Sequence, residues 1–252
     1  MPRGSPAALR SRLAAWSVRH GNVFGLTPVI VYQMAKVGSS SIYSALKRAG
    51  MPVFHVHRMS AEHLQRMRDE RRALGWHVLP IPPHDRLGLE LNAIVGRAKI
   101  ITLVRDPIVR NLSSYFEYLD AIWNVQNAHE KIPIEDLCRG FLERYPHDDP
   151  LTWFDDEFLP VLGVDVYSYP FPAAGLAVVS NILILRSELS DDVKRSTLSS
   201  FLGRRIPALR RVNATRDKSK GVVYEEFLRT IRLPEEYVAR MRSSRYYRHF
   251  YG

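Results

Sequence analysis

Short apolar runs, bounded by Gly, Pro and polar residues, recur along the chain and predict buried β-strands. The run 100–104 is the clearest, because its β-branched apolar residues suit a strand that is covered on both faces of a sheet. The runs 165–169 and 176–179 are expected to pair with each other across Pro170-Phe171-Pro172. The predicted strands are 29–34, 53–56, 77–81, 100–104, 165–169, 176–179 and 182–185.

Segments with helical spacing of apolar residues lie between these strands. The helix after 100–104 is expected to begin at Asp106-Pro107, since Asp is a good N-cap and Pro belongs at the first helical position. An aromatic stripe along this helix predicts a core-facing side and not a binding platform. The stripe consists of Tyr115, Phe116, Tyr118, Leu119 and Ile122. The other predicted helices are 39–49, 60–73, 87–96, 190–202, 222–231 and 234–242, with a helical region over 132–160.

The alternation of strands and helices predicts an α/β fold, a three-layer sandwich with a central, mainly parallel sheet. The chain of 252 residues has a length suited to one good core, and no internal repeat, low-complexity tract or linker divides it. We therefore expect a single domain over 1–252, with a basic helical extension at 1–27.

The N-terminal extension combines apolar and basic residues at helical spacing. The apolar positions are Leu9, Leu13 and Trp16, and the basic ones are Arg10, Arg12 and Arg19. This pattern favours a packing or peripheral helix, although transit peptides and membrane-surface helices have similar sequences. No uninterrupted apolar run reaches the roughly 18 residues of a membrane span. We expect a bacterial cytoplasmic protein, with peripheral membrane contact through the basic N-terminus as an additional expectation.

The net positive charge of the chain favours an anionic partner. The net charge is +10 with a pI near 9.9, and no Asp or Glu precedes Glu62. A basic surface favours an anionic partner such as nucleic acid, membrane, nucleotide or acidic glycan, although it also simply aids solubility. The single cysteine, Cys138, excludes an internal disulfide and any zinc site built from several cysteines.

The segment after the first predicted strand has the composition of a phosphate-binding loop. Gly38 lets the backbone turn tightly, and the N–H groups at the start of the next helix point to the same place. Lys36 supplies a mobile positive charge. The hydroxyl donors are Ser39, Ser40 and Ser41. In the common NTPase loop Lys follows Gly, whereas here Lys36 precedes Gly38, which disfavours ATP or GTP hydrolysis. A serine-rich helix start without a ligand is the alternative.

A second anchor is predicted at the end of the strand 100–104. Arg105 ends this strand, and Ser113 lies eight residues later, about two turns into the following helix. Strand ends on one edge of a parallel sheet face a shared crevice, so Arg105 should enter the crevice that Lys36 reaches. An arginine offers a fork of donors to a phosphate, and Ser113 can add one more. Pairing of Arg105 with Asp106, or a helix cap, is the alternative.

The two anchors together resemble the donor-binding motifs of sulfotransferases that use 3′-phosphoadenosine 5′-phosphosulfate (PAPS). The segment Gln33-Met34-Ala35-Lys36-Val37-Gly38-Ser39-Ser40-Ser41 resembles their 5′-phosphosulfate loop. Val104-Arg105-Asp106-Pro107 with Ser113 resembles their 3′-phosphate motif. The resemblance is to Golgi-type carbohydrate sulfotransferases and to bacterial relatives linked to capsular polysaccharide synthesis. Weaker similarity at 153–157, 165–167 and 244–251 extends it over about 28–251.

This resemblance implies a P-loop-NTPase-like sulfotransferase fold, PAPS as donor, PAP as product and no metal. Lys36 would contact the 5′-phosphate and the bridging oxygen, and Arg105 and Ser113 would hold the 3′-phosphate. The residues that would hold the 5′-phosphosulfate are Val37, Gly38, Ser39, Ser40 and Ser41. The acceptor implied is a carbohydrate hydroxyl, in a capsular polysaccharide or a glycolipid.

A base must take the proton of the acceptor hydroxyl. His55 and His57 follow the second predicted strand, at the end that should lie beside the phosphate loop, and His57 is the first choice. His84 and Glu62 are further candidates, and a hydrogen-bonded structural role is the alternative for each histidine. A metal site at His55 and His57 lacks a convincing third ligand.

The predicted activity is therefore transfer of a sulfuryl group from PAPS to a hydroxyl. Two other functions stay open: a non-catalytic binder of an anionic polymer, and a small-molecule kinase on a related fold. No helix-turn-helix, zinc finger or RNA-binding aromatic motif supports a nucleic-acid partner. Two basic clusters are mainly expected to be solvated surface, with an approach for an acidic glycan and a loop that closes over PAPS as alternatives. They are Arg204, Arg205, Arg210 and Arg211, and then Arg216, Lys218 and Lys220-Gly221.

Overall fold

A computed structural model of the chain describes residues 27–210 and 218–252. The basic helix predicted within 1–27, and Arg211 and Arg216 of the basic clusters, lie outside these described residues, apart from position 27. The described part contains a five-stranded sheet in the order β2-β1-β3-β5-β4. Its strands are β1 (Val29–Tyr32), β2 (Val53–Val56), β3 (Lys99–Val104), β4 (Leu176–Val179) and β5 (Ile182–Arg186).

Helices connect and flank these strands. Two 3₁₀ turns lie at Asn92–Arg97 and Val166–Ser168, and one π-helical turn lies at Phe154–Phe158. The first seven α-helices are α1 (Ser40–Arg48), α2 (Ala61–Ala73), α3 (Pro83–Leu91), α4 (Pro107–Glu117), α5 (Leu119–Trp123), α6 (Ala128–Lys131) and α7 (Ile134–Arg144). They are followed by α8 (Asp149–Trp153), α9 (Leu159–Leu162), α10 (Asp191–Leu202), α11 (Lys218–Thr230), α12 (Glu235–Ser243) and α13 (Arg245–Tyr251).

The prediction of an α/β fold with a mainly parallel sheet is confirmed. Strands β1, β2, β3 and β5 run parallel, and β4 alone pairs antiparallel, with β5. The arrangement is consistent with the predicted three layers. Asp106 caps α4 as expected, since its carboxylate accepts from the N–H groups of Ile108 (2.9 Å) and Val109 (3.1 Å).

Two predicted strands are wrong. The segment 77–81 forms no strand, because Pro80 and Pro82 remove ladder donors around it. The segment 165–169 forms a 3₁₀ turn, because the Asp165 carboxylate accepts from the N–H of Tyr167 at 3.0 Å. Strand β4 instead makes a tight hairpin with β5, in which Ser180 takes a left-handed φ of 54°.

The buried residues form two clusters, one on the sheet and one among helices. The sheet cluster includes the fully buried β1 and the tail aromatics Tyr246 and Phe250 of α13. The helical cluster joins α4, α5, α7, α11 and α12. It contains the predicted aromatic stripe, which the structure divides between α4 and α5, since Leu119 and Ile122 lie in α5. That stripe is therefore core, as expected. Among the described residues no helix is both long and apolar enough to span a membrane.

Candidate functional site

The candidate site lies at the carboxyl edge of the sheet, between β1 and β3. Strands β1 and β3 are neighbours in the sheet. The strand β2 lies on the other side of β1, and β5 lies on the other side of β3. Loops that leave neighbouring strands in opposite directions open a crevice, where open α/β sheets bind ligands. Lys36 follows β1 and Arg105 follows β3, so the topology places both predicted anchors at this crevice.

Two guanidinium groups hold the backbone of the loop after β1. Arg105 Nη1 donates to the carbonyl of Lys36 at 2.8 Å, and Arg110 Nε donates to the carbonyl of Ala35 at 3.2 Å. Lys36 and Gly38 both have a left-handed backbone, with φ of 70° and 81°. This conformation suits glycine but costs a lysine about 1–3 kcal/mol, so the surrounding contacts must hold it. The expected meeting of the two anchors is thus confirmed.

Ser39 lies beneath the loop in a polar triangle. Gln33 Nε2 is 2.8 Å from Ser39 Oγ and 2.9 Å from His55 Nε2, and these two atoms are themselves 2.8 Å apart. The ring of Tyr43 stacks on His55, with centroids 5.3 Å apart. Ser39 is only 5% exposed, so its hydroxyl ties the loop to β2 and its backbone N–H is the group suited to a ligand.

The other loop residues fit an anionic ligand. A Cβ added to the exposed Gly38 would meet nothing within 4 Å, so space is open above the loop. No acidic residue lies in the first turn of α1, which begins at the half-buried Ser40. Ser41 Oγ donates to the Gly38 carbonyl at 3.4 Å. Val37 is buried in the core, so only its backbone can reach a ligand.

Lys36 has an acidic partner that it can leave. Its Nζ lies 3.3 Å from Glu117 Oε2, and the two side chains are 29% and 57% exposed. An exposed ion pair of this kind contributes at most about 1 kcal/mol. The ammonium group can therefore exchange this carboxylate for a bound phosphate at small cost.

His57 has its ring orientation set by the main chain. Its Nδ1 lies 3.0 Å from the carbonyl of Gln33, which can only accept a hydrogen bond. In the neutral ring the proton therefore sits on Nδ1, and Nε2 carries the lone pair that can accept a proton. The rings of His55 and His57 meet edge to face at 5.0 Å, beside the loop as predicted. Glu62 is exposed in the first turn of α2, and His84 lies in α3.

The main chain of Arg105, the second predicted anchor, is held by Tyr246 of the C-terminal helix α13. The main-chain N–H of Arg105 donates to Tyr246 Oη at 3.1 Å, and that hydroxyl donates to the Arg105 carbonyl at 2.9 Å. Tyr246 is buried, and burial raises the pKa of its hydroxyl well above the ordinary value. The end of β3 is therefore fixed at the point where the Arg105 side chain leaves the sheet.

Ser113 and Arg105 converge on one hydroxyl group. The Ser113 side chain and the positive charge of Arg105 both act on the phenol of Tyr224 in α11. Burial raises the pKa of Tyr224, while Arg105 and Ser113 partly offset that increase. The Tyr224 ring packs on Phe116, with centroids 4.9 Å apart. Both residues of the predicted 3′-phosphate pair thus lie within reach of a single polar group.

A buried arginine supports the loop from below. Arg110 is 2% exposed and donates to Asn111 Oδ1 and to the Tyr145 hydroxyl, each at 3.0 Å. Its Nη2 lies 3.5 Å from Asp149 Oδ2. Burial tends to raise the pKa of Asp149, but Arg110 and the neighbouring Arg71 outweigh it, and the net shift is downward. The Asp149 carboxylate therefore stays ionised beside its arginine.

A buried carboxylate fixes the chain just after His57. Glu157 Oε1 accepts from the Tyr32 hydroxyl (2.6 Å), from the N–H of Ser60 (2.9 Å) and from the N–H of Met59. Its Oε2 lies 2.7 Å from His63 Nδ1. The π-helical turn at Phe154–Phe158 includes this fully buried carboxylate, and π turns often occur at functional sites. Glu157 therefore links β1 to the segment that carries His57.

Several of these residues were not predicted from the sequence. Gln33 carried a signal, since it is a polar residue inside the apolar run 29–34. Arg110 and Glu157 lie in helical patterns where a charged residue is ordinarily solvated, so spacing alone could not find them. Tyr224 and Tyr246 reach the site from the far end of the chain, and tertiary packing alone brings them there.

Comparison with protein-family models, with curated proteins and with solved structures finds no match for this chain. Within residues 27–210 and 218–252, no group of three or more His, Cys, Asp or Glu side chains is placed to hold a metal ion. The functional interpretation consequently depends on the sequence motifs and on the geometry described above.

Proposed function

We propose that this protein is a PAPS-dependent O-sulfotransferase with a P-loop-NTPase-like fold. The observation that carries the proposal is the 2.8 Å contact between Arg105 Nη1 and the carbonyl of Lys36. It joins the two motifs that resemble the donor site of sulfotransferases at one crevice of the sheet. The acceptor we propose is a carbohydrate hydroxyl, in a capsular polysaccharide or a glycolipid.

Each end of the donor has a set of residues suited to it. PAPS supplies an activated sulfuryl group on its 5′-phosphate and carries a separate 3′-phosphate. Lys36 and the N–H groups of 37–41 bind the 5′ end, where fixed donors stabilise the negative charge that develops as the bond to sulfur breaks. Arg105 and Ser113 bind the 3′-phosphate through charge-assisted hydrogen bonds.

The acceptor proton goes to a histidine. The Nδ1 of His57 faces the carbonyl of Gln33, which leaves Nε2 as the basic nitrogen of the neutral ring. Holding that orientation saves the reorganisation that a mobile base would need. His55 is the second candidate, but its Nε2 contacts Ser39 and Gln33, which suits support of the loop.

The test is calorimetric titration of PAP into the wild-type chain and into Lys36→Ala and Arg105→Ala. We expect micromolar binding to the wild type and a loss of about 10- to 100-fold in each variant, the range for a hydrogen bond to a charged group. Lys47→Ala is the matched control, because Lys47 is an exposed lysine in the last turn of the helix that begins at the loop.

ATP serves as the control ligand. Binding of ATP with magnesium in place of PAP indicates a kinase and contradicts the proposal. Absence of PAP binding by a wild-type chain with an intact thermal transition contradicts it as well. In that case the leading interpretation becomes a non-catalytic binder of an anionic polymer.

A further inference from the structure

A second basic region lies at the opposite edge of the sheet, which we call the amino edge. It consists of the segments 47–52, 97–99, 180–181 and 203–210, together with the chain entry at 27–28. Backbone hydrogen bonds join these segments where the parallel strands begin: Val29 N–H donates to Pro52, Lys99 to Pro28 and Ile100 to Asn181, at 2.8–2.9 Å.

The amino edge is basic without any acidic residue. Its segments contain seven Lys or Arg side chains and no Asp or Glu. The seven residues are Lys47, Arg48, Arg97, Lys99, Arg204, Arg205 and Arg210. Lys99 is half-buried and the other six are exposed. Surfaces with a single sign of charge over several neighbouring segments attract an extended partner of the opposite sign.

Side-chain contacts place three of these cations, Arg48, Lys99 and Arg204, beside one another's segments at this edge. Arg48 Nη2 donates to the carbonyl of Ala208 at 2.6 Å, which brings the end of α1 against the segment 203–210. A Cβ at Gly50 would lie 3.9 Å from Arg204 Nη2. Lys99 Nζ lies 4.6 Å from the ring centroid of Phe201, so β3 begins beside the end of α10.

Helix electrostatics explain only part of this charge. Lys47 and Arg48 lie in the last turn of α1, where a cation offsets the negative end of the helix dipole. Arg205 and Arg210 lie beyond α10, which is terminated by Gly203, so the dipole gives no reason for them. Their exposure in described segments that contain no Asp or Glu points to a partner outside the chain.

The chain before residue 27 joins the fold at the same edge. Residues 1–26 join the fold at Thr27, two residues before β1 begins. Their sequence contains four arginines and no acidic residue. It also contains Leu9, Leu13 and Trp16, which a soluble polyanion would not need and which the interface of a bilayer accommodates.

We propose that the amino edge is the docking face for an anionic lipid bilayer. Exposed cations of the face attract acidic headgroups, and the sequence that precedes the face contains Leu9, Leu13 and Trp16, residue types that a bilayer interface favours. Docking in this way directs the carboxyl edge, with Lys36 and Arg105, away from the bilayer. The inference concerns binding alone and does not depend on the sulfotransferase proposal.

The test is co-sedimentation of the full chain with vesicles of phosphatidylcholine, with and without phosphatidylglycerol. The variant Arg97→Gln/Arg205→Gln/Arg210→Gln removes three cations of the face and keeps the N-terminal segment. The matched control Arg139→Gln/Arg229→Gln/Arg242→Gln removes three exposed cations from α7, α11 and α12, which pack in the helical cluster. Thermal unfolding of each variant verifies the fold.

We expect the wild type to bind only the vesicles that contain phosphatidylglycerol. A cation near an acidic membrane contributes about fivefold to binding, so the first variant should bind about a hundredfold more weakly. The control should bind within about threefold of wild type. Equal loss in both variants, or wild-type binding by the first variant, overturns the proposal. Stronger binding to a soluble anionic polysaccharide than to these vesicles, or to duplex DNA, also overturns it.

Discussion

The two edges of the central sheet use positive charge in different ways. At the carboxyl edge, Arg105 and Arg110 are fixed by loop carbonyls, and Lys36 pairs with the exposed Glu117, so each of these three cations has a partner within the chain. At the amino edge, seven cations lie on segments that contain no carboxylate. Fixed cations define the position of a small ligand, whereas a set of exposed ones provides a field for an extended anionic surface.

The largest expected effect separates the roles of the two histidines. His57→Ala should lower sulfate transfer from PAPS to an oligosaccharide acceptor by about 10²- to 10⁴-fold, because the general base is lost. Its affinity for PAP should fall less than that of His55→Ala, since the Nδ1 of His57 faces a main-chain carbonyl, whereas His55 contacts the Ser39 hydroxyl of the loop. Turnover of labelled PAPS and PAP calorimetry provide the two readouts.

His55→Ala is the matched comparison, because it removes one of the two partners of the Ser39 hydroxyl and should weaken PAP binding. If His57→Ala retains full turnover while binding PAP, the base assignment is wrong. If both variants lose PAP binding equally, the division between a base and a loop support does not hold.

Glu157→Gln should destabilise the support of the carboxyl edge, although Glu157 is not one of the residues proposed to bind the ligand. The substitution places an amide donor among the Tyr32 hydroxyl, two backbone N–H groups and His63, which all donate to or face the carboxylate. Disrupting such a buried charged group should lower the free energy of unfolding by about 3 kcal/mol in denaturant titration. The exposed Glu62→Gln should change it by less than about 0.5 kcal/mol, and equal effects would contradict the account.

Acidification should destabilise the helical support of the carboxyl edge. His147 packs edge-on against Phe141 and Tyr237, its carbonyl accepts from Asn111 of α4, and burial lowers its pKa to about 4. The unfolded chain binds this proton near pH 6.5, so the free energy of unfolding should fall as the pH drops from about 6.5 to about 4, by up to about 3 kcal/mol.

His147→Phe supplies the control for this titration, because it keeps an aromatic ring among the same neighbours and removes the proton. Chemical denaturation at several pH values should show a shallower slope in the variant over this range. An unchanged slope would assign the acid sensitivity to other groups.

The smallest expected effect is at the amino edge. The variant Arg97→Gln/Arg205→Gln/Arg210→Gln should change the free energy of unfolding by less than about 0.5 kcal/mol per site and leave PAP affinity within about twofold. These side chains are exposed and lie at the opposite end of the parallel strands from the loop. A tenfold loss of PAP affinity would mean that the two edges are not separate.

The difference between the edges also explains which features the sequence could predict. The anchors Lys36, Gly38 and Arg105 follow strands, and strand ends of a parallel sheet converge, so local patterns were enough to place them together. The supports Arg110, Glu157 and Tyr246 act through contacts between residues at least 75 positions apart. The hydrophobic periodicity of the sequence cannot predict contacts between residues so far apart, because these contacts depend on how helices pack on the sheet.

The two wrong strands failed for a local reason. At 165–169 the apolar alternation favoured a strand. The short Asp165 side chain instead accepts a hydrogen bond from the N–H of Tyr167 and caps the 3₁₀ turn at Val166–Ser168. Around 77–81, Pro80 and Pro82 made strand pairing unfavourable. The backbone there is instead bonded by the Ala121 carbonyl, which accepts from the His77 N–H at 3.0 Å, and by Arg68, which donates to the Leu79 carbonyl at 2.8 Å. In both segments side-chain and proline chemistry outweighed hydrophobic pattern.

The most direct test of the account is amide hydrogen exchange of the wild-type chain with and without PAP. Ligand contact slows exchange where it suppresses local opening of the backbone. We predict added protection at 35–41 and 105–113, with no change at 47–52 and 203–210. Protection confined to the amino edge, or none at either edge with saturating PAP, would contradict the assignment of the donor site to the carboxyl edge.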